Sequence, residues 1–231
     1  MKNGSNFNLL SDYIIFENDE IIVINKPEGL LSVPDGYDQT KTNLRDILKD
    51  IFGEIWVVHR LDKSTSGVII FAKNPRMHKI LNTQFSQRNV TKKYIAYIHG
   101  SPIWDTICIE YPLRINGDRH HRTVIDLNTG KIAKTYVEII ERRVNFCLAH
   151  MYPKTGLTHQ IRSHCSNIGH PIIGDHLYDY QRTKNDQGKI STPFCKNGLF
   201  LHAADLRFLE ETLNFPQFSA RTPEKFYRLS I

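Results

Sequence analysis

Hydrophobic and polar positions along the chain mark short strands more often than helices. Residues 13–16 and 21–25 are apolar runs separated by Glu17-Asn18-Asp19-Glu20, which predicts a hairpin. Two further runs, 55–58 and 68–71, flank the polar stretch His59-Arg60-Leu61-Asp62-Lys63-Ser64-Thr65-Ser66-Gly67. Two buried strands are therefore expected to meet at a loop that carries an imidazole, a guanidinium, a carboxylate and hydroxyls. Over 92–100, alternation puts Tyr94, Ala96 and Ile98 on one face and Lys93, Ile95 and Tyr97 on the other. Further strands are expected over 106–110, over 134–140 paired with 146–151, and over 199–203, with Leu206 and Phe208 extending the last.

Helical spacing occurs in three places. Leu44, Ile47, Leu48 and Ile51 fall at i, i+3, i+4 and i+7, after a cap at Thr42 or Asn43 and before Gly53. Met77, Ile80, Leu81 and Phe85 form a second stripe behind Asn74 as cap and Pro75 as first residue. A third helix is expected to begin within 155–162, with Ile161, Cys165 and Ile168 on one face and Gly169 as its stop. Strands with few helices, and no repeating βαβ rhythm, point to an α+β fold. The Pro- and Gly-rich segment 26–36 reads as a rigid loop, where Lys26 either meets a phosphate or sits at a solvated strand end. Residues 180–188 read as an exposed excursion and residues 1–12 as a flexible terminus, leaving 13–231 as the folded domain.

With 231 residues, 40% of them hydrophobic, the chain can bury a substantial core, as one domain or two packed lobes. No apolar run is long enough to cross a bilayer and the first residues lack a secretory pattern, so a cytoplasmic protein without membrane association is expected. The four cysteines (Cys108, Cys147, Cys165, Cys195) lie far apart and are expected to be reduced and mostly buried. His159, His164, His170 and His176 crowd one segment without a His-Glu-x-x-His arrangement, and no metal site is expected. A formal charge of +6 is compatible with a nucleic-acid partner. The excess concentrates at Arg114, Arg119, His120, His121, Arg122, Lys131, Lys134, Arg142 and Arg143, which read equally as an RNA contact or a solvated loop face.

Asp62 in its polar loop has two readings: a turn residue that caps neighbouring backbone groups, or a catalytic carboxylate. The wider pattern bears on the choice. Asn25-Lys26-Pro27 with Gly29-Leu30, His59-Arg60-Leu61-Asp62 with Thr65-Ser66-Gly67, and Lys93-Tyr94 with Ala96 and Gly100 occur in that order. They are followed by Thr155-Gly156 with Thr158-His159-Gln160-Ile161-Arg162, Gly169-His170-Pro171-Ile172 with Gly174-Asp175, and Leu201-His202-Ala203. This combination resembles the RluA-type pseudouridine synthases, enzymes that isomerise uridine in RNA, and it covers the chain from about Ile21 to Phe208.

The resemblance implies a catalytic domain over 13–231 built on a mixed, largely antiparallel sheet with flanking helices and a central cleft. It implies Asp62 as catalyst, Arg162 as its countercharge, Tyr94 stacked on the uracil, Leu201 as the apolar floor under the base, and Arg60 inserted where the uridine leaves its stack. His59 is expected to orient the loop, and Asp175 to cap a turn. The implied enzyme is a monomer that uses no cofactor or metal and acts on ribosomal or transfer RNA. Two departures are expected: Leu157 occupies a position where relatives usually carry Arg, leaving one basic contact missing or supplied by Lys154, and no N-terminal RNA-binding domain of the kind many relatives carry is expected ahead of Asp12. A non-catalytic RNA-binding module that kept the fold is the alternative, as is, more remotely, a nucleoside hydrolase.

Overall fold

The computed structural model describes residues 10–179, 198–209 and 213–228, so the expected excursion 180–188, residues 1–9 and Cys195 lie outside it. In chain order the strands are β1 (Ile14–Glu17), β2 (Ile21–Lys26), β3 (Trp56–Val57), β4 (Ser66–Ala72), β5 (Val90–His99) and β6 (Thr106–Ile109), then β7 (Leu113–Arg114), β8 (Val124–Ile125), β9 (Thr135–Arg142), β10 (Phe146–Pro153), β11 (Leu201–Phe208) and β12 (Phe218–Ser219). The helices among the described residues are α1 (Leu44–Phe52), α2 (Pro75–Ser86) and α3 (Gln160–Asn167). This is the expected α+β class with mostly antiparallel pairing. The chain divides into two compact units, one of Met1–Lys92 with Ala203–Thr222 and the other of Lys93–His202 with Pro223–Ile231.

In the first unit β2 pairs with β1 on one side and β4 on the other, while the two-residue β3 adds to β4. Every residue of β4 is buried, which explains its unbroken apolar run. The predicted strand before the loop is shorter than expected and only half-buried. Asn43 caps α1 by accepting the Asp46 N–H, and Asn74 caps α2 by accepting that of Met77. Met77 and Leu81 pack with Val23, Val68, Ile70, Leu206 and Phe218 into one core. Gly67 permits a close backbone approach: at φ +114°, a Cβ there would stand closer than 3.0 Å to the N, C and O of Ala203.

In the second unit β5, β10, β9 and β6 pair in that order, antiparallel throughout. The alternation predicted for β5 separates two clusters. Ala96 and Ile98, with Tyr94 alongside, join Met151, Ile161, Cys165 and Leu201, whereas Tyr97, with Ile95 alongside, joins Phe146, Phe200 and Phe226. The third helix starts at Gln160, within the expected stretch. The Gln160 amide oxygen accepts from the Thr155 hydroxyl and the Leu157 N–H, and His159 sits at φ 53°, so residues 155–159 form a locked turn ahead of the helix.

Candidate active site

The loop from His59 to Thr65 is fastened from two directions in the first unit. The Ser32 hydroxyl donates to the Leu61 carbonyl (2.8 Å) and accepts the Leu61 N–H (3.1 Å), so one side chain satisfies both backbone groups. His59 stacks on Phe85 with centroids 4.7 Å apart, and its Nε2 accepts the Ile70 N–H at 3.1 Å. Burial, with a smaller contribution from the Lys92 charge, pushes the imidazole down to about 3 and keeps it a neutral acceptor. These contacts agree with the orienting role expected for His59. The Thr65 N–H closes a turn on the Asp62 carbonyl at 3.1 Å; Asp62 is half-buried, and Arg60, two residues before it, is exposed.

Lys26 corrects both sequence readings, since it is neither solvated nor placed as a surface phosphate contact. Its side chain is fully buried, and Nζ donates to the carbonyls of Pro27 (2.9 Å), Leu30 (2.8 Å) and Lys63 (3.4 Å). The Lys63 carbonyl also accepts the Gly29 N–H, which ties the 26–36 loop to the Asp62 loop. Burial lowers the ammonium to about 8, against the pull of the Asp62 and Glu28 charges. Lys26 thus supplies a buried positive charge that interacts with Asp62, a role the sequence reading missed. Its signal was the lysine closing an apolar strand just before a proline.

The second unit holds Tyr94, Arg162 and Leu201. Tyr94 packs, half-buried, against the cluster that contains the buried Leu201. Arg162, 7% exposed, donates from Nε to Asp175 Oδ2 at 2.7 Å and from Nη2 to Oδ1 at 2.8 Å. Asp175 does cap its turn, accepting from Leu177 and Tyr178 N–H, and it also holds the guanidinium in a planar fork, which a turn cap alone does not predict. The guanidinium carbon lies 5.1 Å from the centre of the Tyr178 ring. The Tyr178 hydroxyl accepts the Thr123 N–H at 2.8 Å and lies 3.1 Å from His159 Nδ1. Burial pushes this phenol up to about 12, so it stays protonated. His164 is committed to the Thr135 hydroxyl and the Tyr111 carbonyl.

The sequence model of RNA pseudouridylate synthases matches residues 20–167, most of the chain. The chain belongs to this family. Within the match lie Arg60, Asp62, Tyr94 and Arg162, with Leu201 beyond it. The chain is 37% identical over 200 residues to the dual-specificity RNA pseudouridine synthase RluA of Vibrio vulnificus, covering 84% of this chain and 76% of that protein. It is 35% identical over 166 residues to RluA of Escherichia coli K12, covering 71% and 76%. Among solved structures, human RNA pseudouridylate synthase domain containing 4 superposes with a TM-score of 0.76 at 26% identity, over 97% of this chain and 94% of that one. Family membership makes this protein an isomerase that converts uridine in RNA to pseudouridine. Among the described residues no helix is long and apolar enough to cross a membrane.

Proposed function

We propose that Asp62 is the carboxylate that carries out this isomerisation, on uridines of structured ribosomal or transfer RNA in the cytoplasm, with the protein working as a monomer and without a cofactor. The observation that carries this reading is the Asp62 loop. It is fixed by Ser32 and His59 and lies in the field of a buried ammonium. The dual specificity in the names of the RluA relatives supports the breadth of substrate.

The reaction breaks the C1′–N1 bond, turns the base and joins C1′ to C5. The proton on C5 is lost to solvent and N1 gains one, so the base is isomerised with no redox change. An ionised carboxylate can begin this by attacking C1′ or by removing the neighbouring ribose proton. The charge of Lys26 interacts with Asp62 in either case. A guanidinium has five N–H donors, and the Asp175 fork uses two, so pairing with a second carboxylate suits Arg162 chemically. Tyr94 offers a face for the uracil and a hydroxyl that can move the C5 proton, above Leu201 as an apolar floor. Extracting the uridine costs a few kcal/mol of stacking. Arg60, exposed and two residues from Asp62, fills the vacated place in the stack with its planar cation.

RNA labelled with tritium at uracil C5 tests the assignment. The wild type releases tritium, whereas Asp62→Asn loses release by at least about three orders of magnitude, as expected when a group acting on the reacting atoms is removed. Equal release by both proteins would remove Asp62 from its role. RNA binding by a wild type that isomerised no uridine would favour the non-catalytic module instead.

A further inference from the structure

The basic segment between β7 and β10 does not present a uniform positive face. Most of its cations are balanced within the fold. Arg114 pairs with Asp126 at 2.6 Å, Arg122 with Asp118 at 2.6 Å and Arg142 with Asp105 at 2.6 Å, while Lys134 and Arg143 pair with Glu110 and Glu141. Glu110, Asp118 and Asp126 are held below the usual carboxylate range. For Asp118, partial burial pushes upward and is outweighed by hydrogen bonds from Arg122 and the His120 N–H, which hold it at about 2. Asp126 lies well below the usual carboxylate range because it accepts from Thr129 and Arg114. Among the described residues, the exposed basic side chains that this segment leaves outside any such pair are Arg119, His120 and His121 at the tip of the β7–β8 hairpin, and Lys131.

The tip is rigid. Asp118 Oδ1 accepts the N–H groups of His120 and Arg122, the His121 N–H returns to the Asp118 carbonyl, and Gly117 donates to the Arg122 carbonyl at 2.7 Å. His121 is held at φ 55°. The base of the tip is anchored beside Arg162. The Thr123 N–H and hydroxyl bind the Tyr178 hydroxyl and the Thr158 carbonyl, each at 2.8 Å, and Arg122 Nη1 reaches the Leu177 carbonyl. The same Tyr178 ring lies under the Arg162 guanidinium.

We propose that Arg119, His120 and His121 at this hairpin tip form a contact for the phosphate backbone of the RNA substrate, held in fixed register with Arg162 through Thr123 and Tyr178. Charge complementarity and that anchorage suit the tip to a phosphate, a role that rests on the reading of structured RNA as substrate. Cations already paired with carboxylates have less to gain from a phosphate, whereas the tip offers its donors without first breaking an ion pair. A rigid, anchored tip also places those donors at little entropic cost.

The test compares wild type, the triple variant Arg119→Gln/His120→Gln/His121→Asn, and Arg142→Gln as a paired-arginine control. Asn at 121 suits the left-handed backbone. Binding to bulk transfer RNA and bulk ribosomal RNA is measured across salt concentration, with tritium release from C5-labelled samples of both. The triple variant should bind roughly 5- to 50-fold more weakly at 0.1 M salt, with its log–log salt slope reduced by about 1 to 2. Its KM should rise while release at saturating RNA and melting temperature stay at wild-type values, and Arg142→Gln should move the slope far less. An unchanged KM and slope in the triple variant, or an equal effect of Arg142→Gln, would overturn the proposal. A wild type that released no tritium would instead refute the catalytic reading, and the salt slopes would still decide the hairpin contact.

Discussion

Among the described residues two cations are buried, Lys26 and Arg162, one in each compact unit, and they are satisfied in opposite ways. Arg162 is locked to Asp175 by a two-point fork, so its charge is balanced where it stands. Lys26 is capped by three backbone carbonyls, which satisfy its hydrogen bonds and leave its charge without a bonded carboxylate. A neutral cap leaves the field of the ammonium acting on its surroundings, and Asp62 and Glu28 feel it. The fork leaves Arg162 as a directional donor more than a source of field. The first unit thus sets a buried positive charge in interaction with the proposed catalytic carboxylate, and the second holds a guanidinium in a fixed orientation.

The largest expected effect comes from breaking the fork. Asp175→Ala removes the carboxylate of this buried fork and also the acceptor for the Leu177 and Tyr178 N–H groups. Loss of one partner of a buried pair costs about 3–5 kcal/mol. Urea unfolding should show that loss, and Asp175→Asn, which keeps an acceptor oxygen for the turn, should lose less. If the alanine variant unfolded at wild-type urea concentration, Asp175 would not be what balances Arg162.

Lys26→Met should behave differently because the cation it removes has no bonded carboxylate. Near neutral pH, the three freed carbonyls oppose the gain from no longer burying a charge, so the stability change should be small. The pH dependence is more telling. With the folded value lowered to about 8 from 10.5, the unfolded chain holds more protons between those values, so stability rises with pH across that window. The variant should lack that component, worth roughly 3 kcal/mol by linkage over the whole window. Turnover at pH 7 should fall by about tenfold or more as Asp62 loses its neighbour, the equivalent of about 1.4 kcal/mol. Parallel stability curves for the two proteins from pH 8 to 10.5 would place the ammonium in water and end the comparison.

The two halves of this arrangement were unequally legible in the sequence. Periodicity found α1, α2 and the two faces of β5, because each depends on side chains that share one local environment. Caps at Asn43 and Asn74 were readable for the same reason. Lys26 was not, since nothing local distinguishes a lysine at a solvated strand end from one folded back onto carbonyls up to 37 positions away. The start of α3 was legible only to within residues 155–162, because the Gln160 side chain, which accepts the Leu157 N–H of the preceding turn, has no periodic signature. Asp175 was legible as a turn cap, but its partner lies 13 residues earlier on another element. The basic segment showed its composition and concealed its pairing, because the carboxylates that neutralise Arg114 and Arg142 come from positions 126 and 105.

The smallest expected effect comes from Tyr178. Tyr178 serves the second unit twice, with its ring under Arg162 and its hydroxyl on the buried Thr123 N–H. Tyr178→Phe keeps the ring and deletes only the hydroxyl, so the fork should persist while the hairpin base loses an acceptor. One unsatisfied buried N–H costs about 1–3 kcal/mol, and some of that is recovered if the hairpin shifts to let water in. The expected result is a modest loss of stability and a higher KM for RNA, with release at saturating RNA unchanged. Tyr178→Leu removes the ring as well and should lower that saturating rate too, because Arg162 then loses its support. A phenylalanine variant that lost rate without any change in KM would show that the hydroxyl serves the Arg162 turn and not the hairpin.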